Sequence, residues 1–395
     1  MKSRNLAALW LACFVVLAGC KGFWDVPTST TTTTPTTLSS GVFYVLNQNS
    51  GQIVAYSITS GSLNKIGTYS LPGPVAIAIA PNGNFLYVST LTNGIYAYGI
   101  SSGGALTALN SGQFIASDLD AALQVDTTGA WLVDAFIAPL TGQVQVDAIP
   151  LNSSGTYTAG TTVPSASFTV SNATVKQMAI SGDDKNVFLA LGAGGTIVVP
   201  FNSSSPLPNG LAGTSIAPAN TGGVALSVAV DPGSAPRLFY IGETLVNSTA
   251  NSGGLRVYNY SSLGTGTLTQ ALGSPIASGG LAPNAILPVA SGQYVYVADG
   301  TGLTANGNVS WFPISAAGTT YSIASGGNIV SGIQPNGLAE DIDHNFVLAV
   351  STGGSTTSGN PDLEAYTLGT GTLTSAITSN TGTDPVGAFA VAALP

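Results

Sequence analysis

A pair of short apolar segments recurs about every fifty residues along this chain, and this repeat constrains the fold more than any other feature. One copy reads AIAIAP then FLYVST, at 76–81 and 85–90, and another reads LSVAVD then LFYIGE, at 226–231 and 238–243. Short runs rich in Val, Ile, Tyr and Phe, bounded by Gly, Asn and Pro, predict β-strands. Because similar units repeat at a fixed period, the sequence predicts a closed all-β repeat fold.

Seven copies of the repeat can be aligned between residues 41 and 395. Each copy begins with an inner strand, and a second strand follows it after the first turn. The second strands start at residues 42, 85, 130, 187, 238, 294 and 346. Predicted inner strands start at residues 76, 121, 176, 226, 284, 337 and 387, and third strands at 52, 94, 143, 196, 255, 308 and 363. A fourth, less regular strand follows a glycine turn, as in the segments that begin at 61, 104, 266 and 371. Four strands in each of seven units predict a seven-bladed β-propeller with four-stranded antiparallel blades.

The two ends of the predicted domain complete each other. The inner strand at 387–392 has no second strand after it. The second strand at 42–45 has no inner strand before it. Together they supply one strand from the C-terminus and three from the N-terminus. Such a closure covers the edges that an open sheet would expose, so we expect the ring to close in this way.

The first forty residues carry export signals rather than a folded unit. Residues 1–19 combine the basic Lys2 and Arg4 with a 12-residue apolar run, which is shorter than the roughly 20 residues of a membrane-spanning helix, and predict a signal peptide. The ending LAGC at 17–20 resembles the bacterial lipobox, which implies a lipid-modified Cys20 that anchors the protein to a membrane. The alternative is an ordinary signal peptide with a chance cysteine.

The segment 20–40 is rich in Thr and poor in large apolar residues, which predicts a flexible tether between the anchor and the domain. Lys21 follows the predicted lipid-modified cysteine. Because an aspartate there signals inner-membrane retention in enteric bacteria, we expect the outer membrane of the cell envelope in preference to the inner one.

Composition excludes several classes of function. The formal net charge is −9, only 6% of residues are charged, and the chain has one His and two Cys. An acidic chain of this kind is not expected to bind nucleic acid. One histidine excludes a histidine-rich zinc site, and Cys13 lies in the predicted leader, so the exported chain forms no internal disulfide. We expect a monomer.

The segments GPVAIAIAPNGNFLYVST at 73–90 and LRVYNYSSLGTGTLT at 255–269 resemble a bacterial lactonase family. Its members are seven-bladed propellers related to 6-phosphogluconolactonase, and the chain resembles the YVTN-repeat propellers more loosely. The resemblance covers the whole domain and implies sugar-lactone hydrolysis by Arg and His placed after a proline at the start of inner strands. No Arg or His follows Pro74, Pro283, Pro335 or Pro385 here, so the chain departs from the family at the positions that carry activity.

Several carboxylates are predicted to meet at one end of the ring. Residues just before an inner strand and just after a second strand share that end. The candidate side chains for a ligand or a cation are Asp118, Asp120, Glu243, Asp299 and Asn47. Carboxylate and amide oxygens suit a hard divalent cation such as Ca²⁺. The alternative is that these groups only solvate a water-filled channel.

Glu340 and Asp341 are unusual because they fall inside a predicted inner strand. We expect at least one of them to face the channel or a polar neighbour, since burial of a lone carboxylate is costly. His344, in the Asp343–Asn345 turn, is expected at the end of the ring opposite Asp118, Asp120, Glu243 and Asp299. Asp126 and Asp231 occupy similar turns, where aspartate accepts hydrogen bonds from backbone amides.

Three functions remain open from the sequence. The favoured one is a lipid-anchored extracytoplasmic propeller that binds a small ligand or an envelope protein through one end of the ring, without catalysis. The alternative is a divergent lactonase acting at the channel mouth. The third is a purely structural envelope protein.

Overall fold

The computed structural model describes residues 41–59, 62–208, 210–247, 252–302, 305–353, 362–378 and 387–395. The predicted signal peptide, Cys20 and the Thr-rich tether lie outside these ranges. Strands and their turns make up nearly all of the described chain, with two short 3-10 turns at Asn110–Gly112 and Tyr260–Ser262. Among the described residues, no helix has the length and apolar character needed to cross a membrane.

The two ends of the domain meet in one four-stranded sheet. Its strands are β1 (Val42–Asn47), β2 (Gln52–Thr59), β3 (Ser62–Ser70) and β28 (Ala388–Ala393), in the order β28-β1-β2-β3. The C-terminal strand runs antiparallel to β1 and pairs with it from Phe43 to Asn47. The predicted closure by one C-terminal and three N-terminal strands is therefore confirmed.

Two further sheets follow the predicted order of inner, second, third and fourth strand. One contains β4 (Pro74–Ile79), β5 (Phe85–Thr90), β6 (Ile95–Ile100) and β7 (Leu106–Ala108). The next contains β8 (Ala122–Val125), β9 (Trp131–Ile137), β10 (Val144–Pro150) and β11 (Ser165–Phe168). Neighbouring strands in both sheets are antiparallel.

The remaining strands form two eight-stranded sheets. The first contains β12 (Ala173–Ile180), β13 (Asn186–Gly192), β14 (Thr196–Pro200), β15 (Thr214–Ile216), β16 (Ala225–Val230), β17 (Leu238–Glu243), β18 (Gly254–Asn259) and β19 (Ile276–Ala277). The second contains β20 (Ala282–Pro288), β21 (Tyr294–Gly300), β22 (Asn306–Ala317), β23 (Thr320–Ile323), β24 (Gly327–Glu340), β25 (Phe346–Gly353), β26 (Leu363–Leu368) and β27 (Leu373–Thr378). In the first, the one strand pairing between its two halves, among the described residues, is that of Gly192 with Ala225.

The structure differs from the sequence prediction in two places. The fourth strand predicted from residue 266 is reduced to a short pairing of Gln270 with Tyr258, because Gly264 and Gly266 have φ angles of 80° and 81° and make turns; the edge strand β19 follows it. The long β24 was also not predicted. Its first part pairs with β22 and its second with β25, so one continuous strand joins two repeats.

The second strand of each repeat is buried on both faces. Every residue of β1 and of β17 is buried, because apolar side chains from the sheets on both sides cover them. Burial on both faces explains why these strands read as continuous apolar runs rather than as an alternation.

Aspartates at the turns after inner strands accept backbone hydrogen bonds. Asp126 accepts from the Trp131 amide at 2.8 Å. Asp231 accepts from the Leu238 amide at 3.2 Å. Asp341 accepts from the Phe346 amide at 2.5 Å. The structure thus gives Asp341, and not the exposed Asp343, the role of the other two turn aspartates.

Candidate functional site

A cavity of about 470 Å³ lies where the predicted inner strands meet. Residues from β4, β8, β12, β16, β20, β24 and β28, or immediately before them, line it. Its lining combines apolar residues such as Leu226 and Phe389 with a few polar ones. The polar lining side chains among the described residues are Asp120, Lys176, Gln177, Asn284 and Asn336.

Asp120 is the one carboxylate among the described lining residues. Its φ of 52° is in the left-handed region, and its amide donates to the Thr90 carbonyl at 3.0 Å. Partial burial raises the pKa of the Asp120 carboxyl, and the charge of Lys176 acts in the opposite direction. The cavity therefore offers one acidic and one basic side chain in an otherwise neutral lining.

Two lining amides also hold neighbouring strands in place. The Asn284 side chain donates to the Pro335 carbonyl at 3.1 Å, and Gln177 accepts from the Val228 amide at 3.0 Å. These bonds fix the two amide groups at the cavity wall. Because preformed polar groups recognise ligands without an ordering cost, the wall is suited to binding.

Glu243 and Asp299 have separate protein partners and do not line the cavity. Glu243 pairs with Arg256 at 2.8 Å, and its other oxygen accepts from the Ala219 amide at 2.9 Å. Asp299 accepts from the Ala282 amide at 2.9 Å. Burial raises the pKa of the Asp299 carboxyl.

The other predicted candidates also have local partners. Asn47 is buried at the end of β1 and accepts from the Ser50 amide at 3.2 Å. Glu340 accepts from the Ala290 amide and contacts His344 Nδ1, both at 2.9 Å. Glu340 and His344 share a second cavity of about 660 Å³.

Asp118 lies in a carboxylate cluster that the sequence analysis missed. One carboxylate oxygen each from Asp118, Asp134 and Asp147 lies within 4.8 Å of the other two. Asp134 and Asp147 face each other on β9 and β10, and Asp118 belongs to the loop before β8. The available signal was the single aspartate inside each of the apolar segments AWLVDAFI, at 130–137, and VQVDAI, at 144–149.

The cluster carries excess negative charge in a buried setting. Asp134 is fully buried, and neither of its oxygens accepts a hydrogen bond from a described donor. Burial, followed by the charges of Asp118 and Asp147, holds the pKa of Asp134 well above its usual range. Burial and the Asp147 charge also raise the pKa of Asp118.

No protein-family model and no curated protein matches this chain. Several solved structures do match it. A protein from Bacteroides fragilis named as a "putative 6-phosphogluconolactonase" has 13% identity and a TM-score of 0.66, with 89% of this chain and 97% of that chain covered. A β-propeller domain of Cps50 (Swd1) from Myceliophteria thermophila has 13% identity and a TM-score of 0.57, with 84% and 93% covered. The fold is a β-propeller.

A third match, a protein from Lactobacillus plantarum, has 14% identity and a TM-score of 0.63, with 89% of this chain and 98% of that chain covered. The three structures cover nearly the whole described domain. At these identities the likeness shows the fold of the propeller and nothing about its chemistry.

Proposed function

We propose that this is a seven-bladed propeller that binds a small ligand in its central cavity and does not transform it. Each eight-stranded sheet is then two blades joined at an edge. One observation carries the proposal: the cavity of about 470 Å³ is lined by strands from all seven repeats, and its volume falls within the roughly 300–1,000 Å³ typical of ligand pockets.

The lining selects the kind of ligand. Asp120 and Lys176 offset each other in charge, and Asn284 and Asn336 add neutral donors and acceptors. Leu226 supplies part of the apolar wall. Such a mixture suits an uncharged, polar molecule of sugar size, because polar groups set its orientation while apolar surface excludes water.

A lactonase is the second candidate, supported by the likeness to the Bacteroides protein and by Asp120. A hydrolase needs a positioned base and groups that stabilise a developing oxyanion. Asp120, with its raised pKa, is a candidate base, but the lining contains no His or Arg among the described residues. Binding without turnover therefore fits the lining better.

Calorimetric titration of the purified protein with a panel of neutral mono- and disaccharides and with glucono-δ-lactone tests the proposal. We expect at least one to bind with a Kd of about 1 mM or tighter. Leu226→Trp, which fills the cavity, should weaken binding at least about tenfold, and Asp343→Asn, on the exposed turn, should not. No binding across the panel would contradict the proposal. Lactone hydrolysis lost in Asp120→Asn would support the second candidate instead.

We propose that the protein is exported and anchored through Cys20 to the bacterial cell envelope, preferably at the outer membrane. The basic start, short apolar run and LAGC ending support this. In a bacterial host, radiolabelled palmitate should be incorporated into the wild-type protein, and the labelled protein should pellet with membranes. Cys20→Ala should abolish labelling and release the protein from the pellet. Equal membrane association of both proteins would refute the anchor.

A further inference from the structure

The Asp118, Asp134 and Asp147 carboxylates, called here the acidic cluster, have no role in the proposed ligand site. None of the three lines the central cavity. They lie on one repeat, where β9 and β10 meet the loop before β8. One oxygen from each is within 4.8 Å of the other two, so three potentially negative groups share a space of a few ångströms.

The fold does not require a carboxylate at position 134. In β9, the Trp131 carbonyl accepts from the Asp126 amide, and the matching carbonyl occurs in the second strand of every repeat. Asp134 is the third residue after that carbonyl. The equivalent positions in the other six strands hold Val45, Val88, Leu189, Ile241, Val297 and Ala349. A buried, ionisable side chain therefore stands where this architecture otherwise places an aliphatic one.

No basic side chain balances the acidic cluster within the described residues. The ion pairs of Lys and Arg found there involve Asp183, Asp231 and Glu243. Gln145 donates to both oxygens of Asp147 at 3.0 Å, but Asp134 receives no such bond from a described donor. Buried carboxylates without a counter-charge are strongly unfavourable, so a further positive species must neutralise the group.

We propose that the acidic cluster binds a hard divalent cation through one oxygen each of Asp118, Asp134 and Asp147. Oxygen ligands from carboxylates are those that Ca²⁺ and Mg²⁺ prefer. Ca–O distances of about 2.3–2.6 Å allow ligand oxygens up to about 4.6–5.2 Å apart, which accommodates separations within 4.8 Å. The half-buried Asp118 gives the ion access from solvent.

A bound cation would tie the loop before β8 to β9 and β10. This loop also carries Asp120, which lines the central cavity. The cation site and the ligand site are nevertheless separate in their residues. The two proposals can therefore fail independently. A protein that binds no sugar can still bind a cation, and a protein that binds no cation can still bind a sugar.

Chelator-treated, metal-free protein should bind Ca²⁺ in calorimetry and show a Tm higher by about 5 °C at saturating Ca²⁺, because a ligand that binds only the folded state stabilises it. Mg²⁺ and Mn²⁺ serve as alternative probes. Asp134→Val, which copies the equivalent residue of β1, β5 and β21, should remove the shift while the variant still folds. Asp118→Asn, in the half-exposed loop, should weaken Ca²⁺ binding at least about tenfold.

Asp343→Asn is the matched control, since it removes an exposed carboxylate elsewhere and should keep the full shift. Two results would overturn the proposal. One is a wild-type protein whose Tm and calorimetry do not respond to any of the three cations, which would leave a shared proton as the neutralising species. The other is an Asp134→Val variant whose Tm shift and calorimetric binding equal those of the wild type, which would mean that the cation binds at another site.

Discussion

A chain that stops at Gly387 should lose cooperative folding. The truncation removes β28, which pairs with β1 from Phe43 to Asn47 and contains the buried Ala388, and it also removes the buried Leu394 that follows. The loss leaves one edge of β1 unpaired and uncovers its apolar side chains. Because domains are stable by only about 5–15 kcal/mol, we expect the truncated protein to show no cooperative thermal transition in calorimetry or near-ultraviolet circular dichroism.

The matched control is deletion of Pro395 alone, which is exposed and lies beyond β28. This shorter deletion should change Tm by less than about 1 °C, an effect below about 1 kcal/mol for a domain of this size. A protein ending at Gly387 that melts cooperatively near the wild-type Tm would show that closure by β28 contributes little to stability.

Arg256→Ala should lower the free energy of unfolding by about 3–5 kcal/mol, the usual cost of removing one partner of a buried ion pair. Arg256 and Glu243 meet at 2.8 Å with side chains only 11% and 1% exposed. Arg256 also donates to the Ala217 carbonyl at 2.7 Å and lies 5.3 Å from the Tyr258 ring centroid. Its removal leaves Glu243 with an uncompensated buried charge. Urea denaturation measures the change.

Two controls separate the buried charge from general damage. Lys185→Ala breaks an ion pair with Asp183 whose lysine is 73% exposed, and should cost less than about 1 kcal/mol. The double variant Glu243→Leu with Arg256→Ile copies Leu191 and Ile197, the equivalent pair on β13 and β14. We expect it to recover most of the loss, since apolar replacement of a buried pair is often neutral or stabilising. A cost for Arg256→Ala equal to that of Lys185→Ala would contradict the argument.

The strand pattern and the closure were predictable from the sequence because they depend on local periodicity. The second strands, buried on both faces, give apolar runs that stand out between glycine and proline turns. The edge strand β19 was missed because two residues of extended backbone leave almost no pattern. The long β24 was missed because the pairing that extends it comes from a neighbouring repeat, which no local run of residues reveals.

The candidate site was harder to predict, because the register of strand pairing determines which side chains lie close together in space. Asp120 was singled out as a residue just before an inner strand, and it lies in the cavity lining. Glu243 is held by Arg256, a partner 13 residues away on the next strand, which repeat alignment did not indicate. Asp134 and Asp147 become neighbours only when β9 and β10 pair, so the sequence could show each aspartate but not their meeting.

The joining of β28 to β1 also determines when this protein can finish folding. The strands β1–β3 emerge first during synthesis, but their sheet lacks its innermost member until residues 388–393 have been made and delivered. Synthesis must therefore reach residue 393 before β1 can gain its partner strand. A nascent or prematurely terminated chain keeps an open strand edge, which is a target for proteases and a template for aggregation.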